Sequence, residues 1–327
     1  MRALTCIKLG PPDDLVIEDV PTPEPGPGQV VVDVHAAGVN FPDLLMIAGK
    51  YQEKAEPPFV PGNECAGVVS AVGEGVKLIS PGDRVVAMPR GGAFAEQALV
   101  DQRVCVPLPP MLSFEQGAGF GVIYGTSYHA LKQSANLQAG ETVLVLGAAG
   151  GVGIAAVELA HAMGATVIAA ASSDKKLDFA KEAGADYGIN YESEALKDRV
   201  RELTDGKGVD VVIDPVGGDM AEQAYRSLAW HGRYLVIGFA AGDIPKFPLN
   251  IALLKEASVI GIWWGTWLAK DPAAHLENMQ EMGAMIADGR LKPRTTEVHA
   301  LDNFIEAFRA ISERRALGKV ILQMRTE

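Results

Sequence analysis

"LGAAGGVG", residues 146–153, follows the apolar run Thr142-Val-Leu-Val-Leu146. An apolar run ending in closely spaced glycines is the sequence form of a buried strand, a tight turn and a helix start. Gly147, Gly150 and Gly153 give G-x-x-G-x-x-G, whereas the dinucleotide fingerprint is G-x-G-x-x-G, with its middle glycine where this chain has Ala149. The physical demand is still met. Gly147 turns sharply, Gly150 or Gly151 lets the backbone close on a pyrophosphate, and Gly153 lets the helix pack against the strand. The helix start, with Ala148 and Val152 in the loop, adds free N–H groups and a partial positive charge of about half an elementary unit. A plain glycine-rich turn is the alternative. A strand before, a helix after and a second strand on schedule favour the pyrophosphate.

The end of that second strand selects the dinucleotide. NAD sites place Asp or Glu there to hold the adenosine ribose. Here "TVIAAASSDKKLDFA" (166–180) has Ala171 instead, followed by Ser172, Ser173, Lys175 and Lys176. Hydroxyls and an ammonium suit the 2′-phosphate of NADPH. The competing reading is a helix N-cap at Ser173 or Asp174 beside a solvated lysine pair, with Asp174 offsetting the charge.

Outward from the loop, strands are expected at 142–146, 166–170, 209–213, 233–237 and 257–262, and helices at 151–163, 174–183, 194–204 and 219–229. Such alternation builds a parallel sheet covered on both faces. Residues 1–120 instead read as short strands broken by Pro and Gly, such as 29–39, 82–89 and 93–100, with one helix near 41–49. Two more helices are expected near 272–288 and 302–313, then a last strand at 318–324. That strand has no partner in the alternating block and is expected to return to the first domain.

At 327 residues, two domains are the natural expectation. The formal charge of −12 disfavours a nucleic-acid partner. The first residues lack a leader's basic and apolar regions, and no uninterrupted apolar run is long enough to span a membrane. The three cysteines lie far apart, which fits reduced thiols in a cytoplasmic protein.

The chain resembles the medium-chain dehydrogenase/reductase superfamily, and within it the zinc-free quinone oxidoreductases related to zeta-crystallin. The resemblance rests on "AAGVNFPDLLMIAGKY" (36–51), "PGNECAGVVSAVGEGV" (61–76), "PGDRV" (81–85), "GAAGGVG" (147–153), "DVVIDPVGG" (210–218), "WWG" (263–265) and "GKVIL" (318–322). It implies a Rossmann doubly wound domain, 123–265, inserted into a GroES-like β-barrel domain, 1–122 with 266–327. It also implies a homodimer joined through the edges of the nucleotide domains. Zinc-dependent relatives have a cysteine where this chain has Asn40, a histidine where it has Asn63, and a third ligand near Val122, so no metal is expected. Without a metal to stabilise an alkoxide, reduction of a quinone or another conjugated carbonyl is the easier reaction, because the acceptor spreads the negative charge onto its own oxygen.

The resemblance places the substrate cleft between the domains, near Asn40, Asp43 and Tyr51. Asn40 and Tyr51 offer hydrogen-bond donors. Their alternatives are a loop contact and a packing ring, and Asp43 could simply cap the helix. Thr126 matches a position near the nicotinamide, and Tyr191 one near the adenosine phosphate. Asp214, Val216, Gly217, Gly238 and Phe239 end strands facing the ligand crevice. Trp263 and Gly265 belong to "GIWWGTW" (261–267), read either as an aromatic wall near the nicotinamide or as core or dimer packing. As a strand, that stretch would turn Trp263 and Trp264 to opposite faces. The rival functions are a 2-alkenal, enone or enoyl-thioester reductase, and a non-catalytic NADPH-binding protein.

Overall fold

The computed structural model describes residues 1–325. It divides into two compact units, Met1–Val122 with the chain from Pro293 onward, and Ile123–Lys292.

In the first unit β1 (Arg2–Thr5) and β2 (Val16–Asp19) form an antiparallel pair. "PTPEPGPG" precedes β3 (Gln29–Val39), with Gly28 at φ 75° making the turn. Chain direction then changes at Asn40, which is extended, and Pro42 sits in the first turn of α1 (Phe41–Ile47). There follow β4 (Cys65–Val72), β5 (Arg84–Ala87), β6 (Gln97–Asp101), β7 (Cys105–Pro107) and α2 (Phe114–Ala118). Both β4 and β6 pair antiparallel with β3.

The second unit opens on α3 (Gly121–His129), whose first residues lie at the boundary between the units. It continues β8 (Thr142–Leu146), α4 (Gly151–Ala162), β9 (Thr166–Ala171), α5 (Asp174–Glu182), β10 (Tyr187–Asn190), α6 (Leu196–Leu203), β11 (Val209–Asp214), α7 (Gly218–Arg226) and β12 (Leu228–Val236). Then come α8 (Leu249–Lys255), β13 (Ser258–Gly261), α9 (Trp264–Lys270) and α10 (Pro272–Ala287). The six strands run parallel in the order β10-β9-β8-β11-β12-β13. This is the doubly wound order, and the strand sequence reverses direction at β8. Central strands are apolar on both faces because helices cover both, as in β8 "TVLVL", where four of five residues are buried.

The chain then returns to the first unit as β14 (Thr295–Ala300), α11 (Phe304–Ser312) and β15 (Lys319–Gln323). β15 pairs antiparallel with β3, Val320 opposite Val39, and completes a sheet ordered β14-β15-β3-β4-β5-β7. The orphan last strand therefore closes the GroES-like sheet, as expected. The core beneath it joins Val30, Val32 and Val34 of β3 to Phe304 and Phe308 of α11.

Several local expectations differ from the structure. Residues 266–292, assigned from sequence to the first domain, group with the second unit. The cause is α10, whose Asn278 accepts hydrogen bonds from Gln133 (2.8 Å) and Lys132 (3.1 Å), while Glu281 accepts one from Tyr128 (2.7 Å). The helix expected at 219–229 stops at Arg226, because Leu228 pairs with Val209 in the sheet. "GIWWGTW" is not a strand beyond Gly261: Trp264 opens α9. No helix among the described residues is long and apolar enough to cross a membrane.

Candidate active site

The glycine loop joins β8 to α4. Gly147 has φ 58°, and a Cβ there would meet Val216 Cγ2 at 2.8 Å. At Gly153 an added Cβ would lie 2.1 Å from Gly147 O and 2.9 Å from Ala148 Cα, leaving no room for any side chain. The helix can approach the strand this closely only through glycine. Gly150 is less constrained: a Cβ would sit 3.4 Å from Gly147 O, an ordinary contact. Ala148 donates to Ala170 O (3.1 Å) and Gly150 to Gly147 O (2.9 Å), while Gly151, Val152 and Gly153 form the first turn of α4, where N–H groups have no partner in the helix. Ser127 of α3 donates to Val152 O at 3.0 Å and ties that helix to the loop. Its neighbour Thr126 is buried on the same helix.

At the end of β9, Lys176 Nζ lies 3.0 Å from Ser172 Oγ, and Ser173 accepts from Lys176 N as N-cap of α5. The N-cap reading of "SSDKK" is therefore present, and the Lys176 ammonium lies beside the Ser172 hydroxyl. Asp174 accepts from Asn190 Nδ2 (2.9 Å), so its carboxylate is engaged away from the serine–lysine pair. Tyr191 follows β10 and donates its N–H to Ala171 O (3.2 Å), placing it beside Ser172.

Asp214 ends β11 almost fully buried. Its Oδ1 accepts from Val216 N (2.7 Å) and Gly217 N (2.8 Å), and its Oδ2 from the Tyr234 hydroxyl (2.5 Å). Burial pushes its carboxyl above the ordinary range, against the pull of those donors. Asp214 thus shapes the turn carrying Val216 and Gly217 through Oδ1, while its Oδ2 ties the end of β11 to Tyr234 of β12. Gly238 donates to Asp214 O (3.3 Å), and Phe239 lies against Gly217. The two tryptophans part company: Trp263 is half exposed before α9, while Trp264 is buried, its ring filling the space a Cβ on Gly125 would need. Gly265 has open space around it.

In the first unit, Asn40, Asp43, Asn63, Glu64 and Lys319 form one polar cluster. Asn40 Nδ2 donates to Glu64 Oε1 (2.8 Å) and Gly38 O (3.3 Å), and its Oδ1 accepts from Lys319 Nζ (2.6 Å). Both amide hydrogens, expected from sequence to serve a carbonyl acceptor, are committed inside the protein. Asp43, fully buried, accepts from Asn40 N (2.8 Å) and Asn63 Nδ2 (3.0 Å). It caps α1, which was its alternative reading, and burial pushes its carboxyl up to about 7. Glu64 also accepts from Val122 N (2.9 Å) and pairs with Lys319 at 2.5 Å. Lys319 and Glu64 were not among the residues singled out from sequence. Tyr51 is half-buried just after α1.

Two family descriptions match the chain: "Alcohol dehydrogenase GroES-like domain" over residues 26–110 and "Zinc-binding dehydrogenase" over residues 151–282. It is similar to a quinone oxidoreductase-like protein 2 homolog of Nematostella vectensis, 44% identical over 98% of this chain and 88% of that protein. Among solved structures it is similar to a probable oxidoreductase from Mycobacterium abscessus (40% identity, TM-score 0.90, 99% of each chain). It is similar also to the Escherichia coli quinone oxidoreductase complexed with NADPH (30% identity, TM-score 0.93, 99% of this chain and 100% of that one).

Proposed function

The chain belongs to the quinone oxidoreductase family of the medium-chain dehydrogenase/reductase superfamily, and from that premise we propose that it reduces quinones or similar conjugated carbonyls with NADPH and without a metal. The observation that carries the reading is the loop at Gly153, where a Cβ would strike the Gly147 carbonyl and push the start of α4 off the loop, followed by the Ser172–Lys176 pair. These residues fit the dinucleotide. Backbone N–H groups at the start of α4 would hold its pyrophosphate, and Ser172, Ser173 and Lys176 its 2′-phosphate, with Tyr191 alongside. When bound, NADPH supplies the hydride. The turn fixed by Asp214 holds Val216 against Gly147 and so sets the floor of the crevice. On the acceptor side Tyr51 is the donor candidate, with Asn40 held in place by Lys319 and Glu64.

Zinc, named in one family description, does not fit the donor set. Among the described residues no group of three His, Cys, Asp or Glu is placed to hold a metal ion. The Asn40 and Asn63 amides are bonded internally, and burial pushes the Cys65 thiol up strongly and that of Cys105 to about 12. A conjugated acceptor needs no Lewis acid, since its own oxygen takes up the charge.

Homodimerisation through the sheet edge is part of the same reading. β13 is the outermost strand on its side, and Val259 on it, with Leu249, Leu253 and Leu254 on α8, is exposed. Such an edge is a ready template for pairing with a second copy.

The test is NADPH and NADH consumption with 1,4-benzoquinone, a 2-alkenal and an enone in parallel. Quinone-dependent turnover favouring NADPH is expected. Turnover with the alkenes alone would replace the quinone by a carbon–carbon double bond, and tight NADPH binding without turnover would remove the enzymatic reading.

A further inference from the structure

A second charged feature of the nucleotide unit lies at the other end of its sheet. Lys197 and Arg201 on α6, Lys207 in the loop before β11, Arg226 at the end of α7 and Lys255 at the end of α8 line one cavity of about 100 Å³. Its floor includes Gly208 and Leu228, at the starts of β11 and β12. The glycine loop and the Asp214 turn lie at the opposite strand ends. The six residues of β11 separate the two ends by about 17 Å. A water needs roughly 10–15 Å³ on this measure, so the cavity has room for several waters or for a phosphate group or two.

None of the ten lining residues is a carboxylate. Arg226 pairs with Glu222 (2.7 Å), but Lys197, Arg201 and Lys207 pair with no carboxylate among the described residues. Lys197 and Arg201 sit one turn apart on one helix, where like charges repel. Lys255 donates to the carbonyls of Arg226 and Leu228, and burial together with the nearby Lys197 charge lowers its pKa. Five cations thus converge on one concavity of a chain with net charge −12. Lys255 has a structural role in its two hydrogen bonds, whereas the side chains of Lys197, Arg201 and Lys207 form none among the described residues.

We propose that this pocket binds a small phosphate-bearing anion, at a site separate from the dinucleotide crevice. Several cations around one cavity match the charge density of a phosphate or diphosphate. A longer polyanion fits less well, because Asp198 and Glu202 on α6, Asp205 in the loop that follows and Glu222 on α7 are exposed near the pocket.

The experiment titrates inorganic pyrophosphate into the ¹⁵N-labelled full chain at about 0.15 M salt, where loose surface attraction is largely screened. Backbone amide shifts report each site separately, whatever the state of the glycine loop. Saturable shifts at Gly206, Lys207 and Gly208 are expected, with affinity falling at least tenfold in Lys197→Gln/Arg201→Gln and severalfold in Lys207→Gln, whose loop position spares α6. Orthophosphate giving the same shifts would also support the site, as a seat for a single phosphate. Shifts confined to residues 147–153, an affinity unchanged in both variants, no saturable shift, or tighter binding of hexaglutamate than of pyrophosphate would each overturn it.

Discussion

Lys319 Nζ lies 2.5 Å from Glu64 Oε1 with both side chains at 2% exposure or less, joining residues 255 positions apart in sequence. One comes from the start of β4's approach and the other from the returning strand, so the ion pair fastens the end of the chain to its beginning. Asn40 and Val122 add further hydrogen bonds to the pair, Asn40 to both partners and Val122 to the second Glu64 oxygen. A buried pair satisfied in this way is costly to break from one side only.

Lys319→Met is therefore expected to lower stability by about 3–5 kcal/mol, since it leaves the Glu64 carboxylate buried and unpaired. Lys319→Met/Glu64→Gln should lose less than the sum of the two single changes, because the second change removes the stranded charge. Urea unfolding of the four proteins measures this. Additive losses would mean the pair is not coupled.

Asp43 contributes a pH dependence of definite sign. Its folded-state pKa of about 7 lies above its ordinary 3.8, so the folded chain holds a proton there that the unfolded chain releases. Stability from this group is fully present below the ordinary value and is lost as pH rises through about 7. Unfolding wild type and Asp43→Asn at pH 5 and pH 8 isolates it. Wild type should weaken more than the variant between the two; equal changes would refute the assignment.

Gly153→Ala is expected to weaken NADPH binding at least tenfold and to lower the melting temperature, because the added Cβ would lie 2.1 Å from a backbone oxygen. Gly283→Ala provides the contrast. Gly283 sits within α10 with open space around it, and alanine there should stabilise by about 0.5–1 kcal/mol. Fluorescence titration with NADPH and thermal unfolding distinguish the two.

At the end of β9, Lys176→Ala and Ser172→Ala should each raise the KM for NADPH severalfold and leave that for NADH nearly unchanged. Equal effects on both dinucleotides would place the 2′-phosphate elsewhere.

On the sheet edge, Leu253→Lys with Val259→Lys should convert a dimer into a monomer in sedimentation velocity. A wild-type chain that sediments as a monomer would rule out the edge pairing.

The alternating half of the chain was legible because its periods are long and its glycines carry steric information; the space at Gly153 is as restrictive as its place in the motif implies. Short elements were harder to read. β10, "YGIN", is a four-residue edge strand containing glycine, with no period to detect. The tryptophan stretch reads as strand by composition, yet Trp264 begins a helix because its ring is buried over Gly125. Asn40 and Asp43 were found by motif, but whether their polar atoms face a ligand or each other depends on Lys319, which is 279 residues from Asn40. A lysine in the otherwise apolar "GKVIL", and a glutamate beside Asn63 where the chain enters an apolar strand, were the available signals. Neither names its partner.

The most direct test of the account is NADPH oxidation with 9,10-phenanthrenequinone by protein assayed for metal content and treated with a chelator. Quinone-dependent consumption that survives chelation, and that falls at least tenfold when NADH replaces NADPH, is the predicted result. Activity that vanishes on chelation and returns with Zn²⁺, or no quinone-dependent consumption at all, would contradict it.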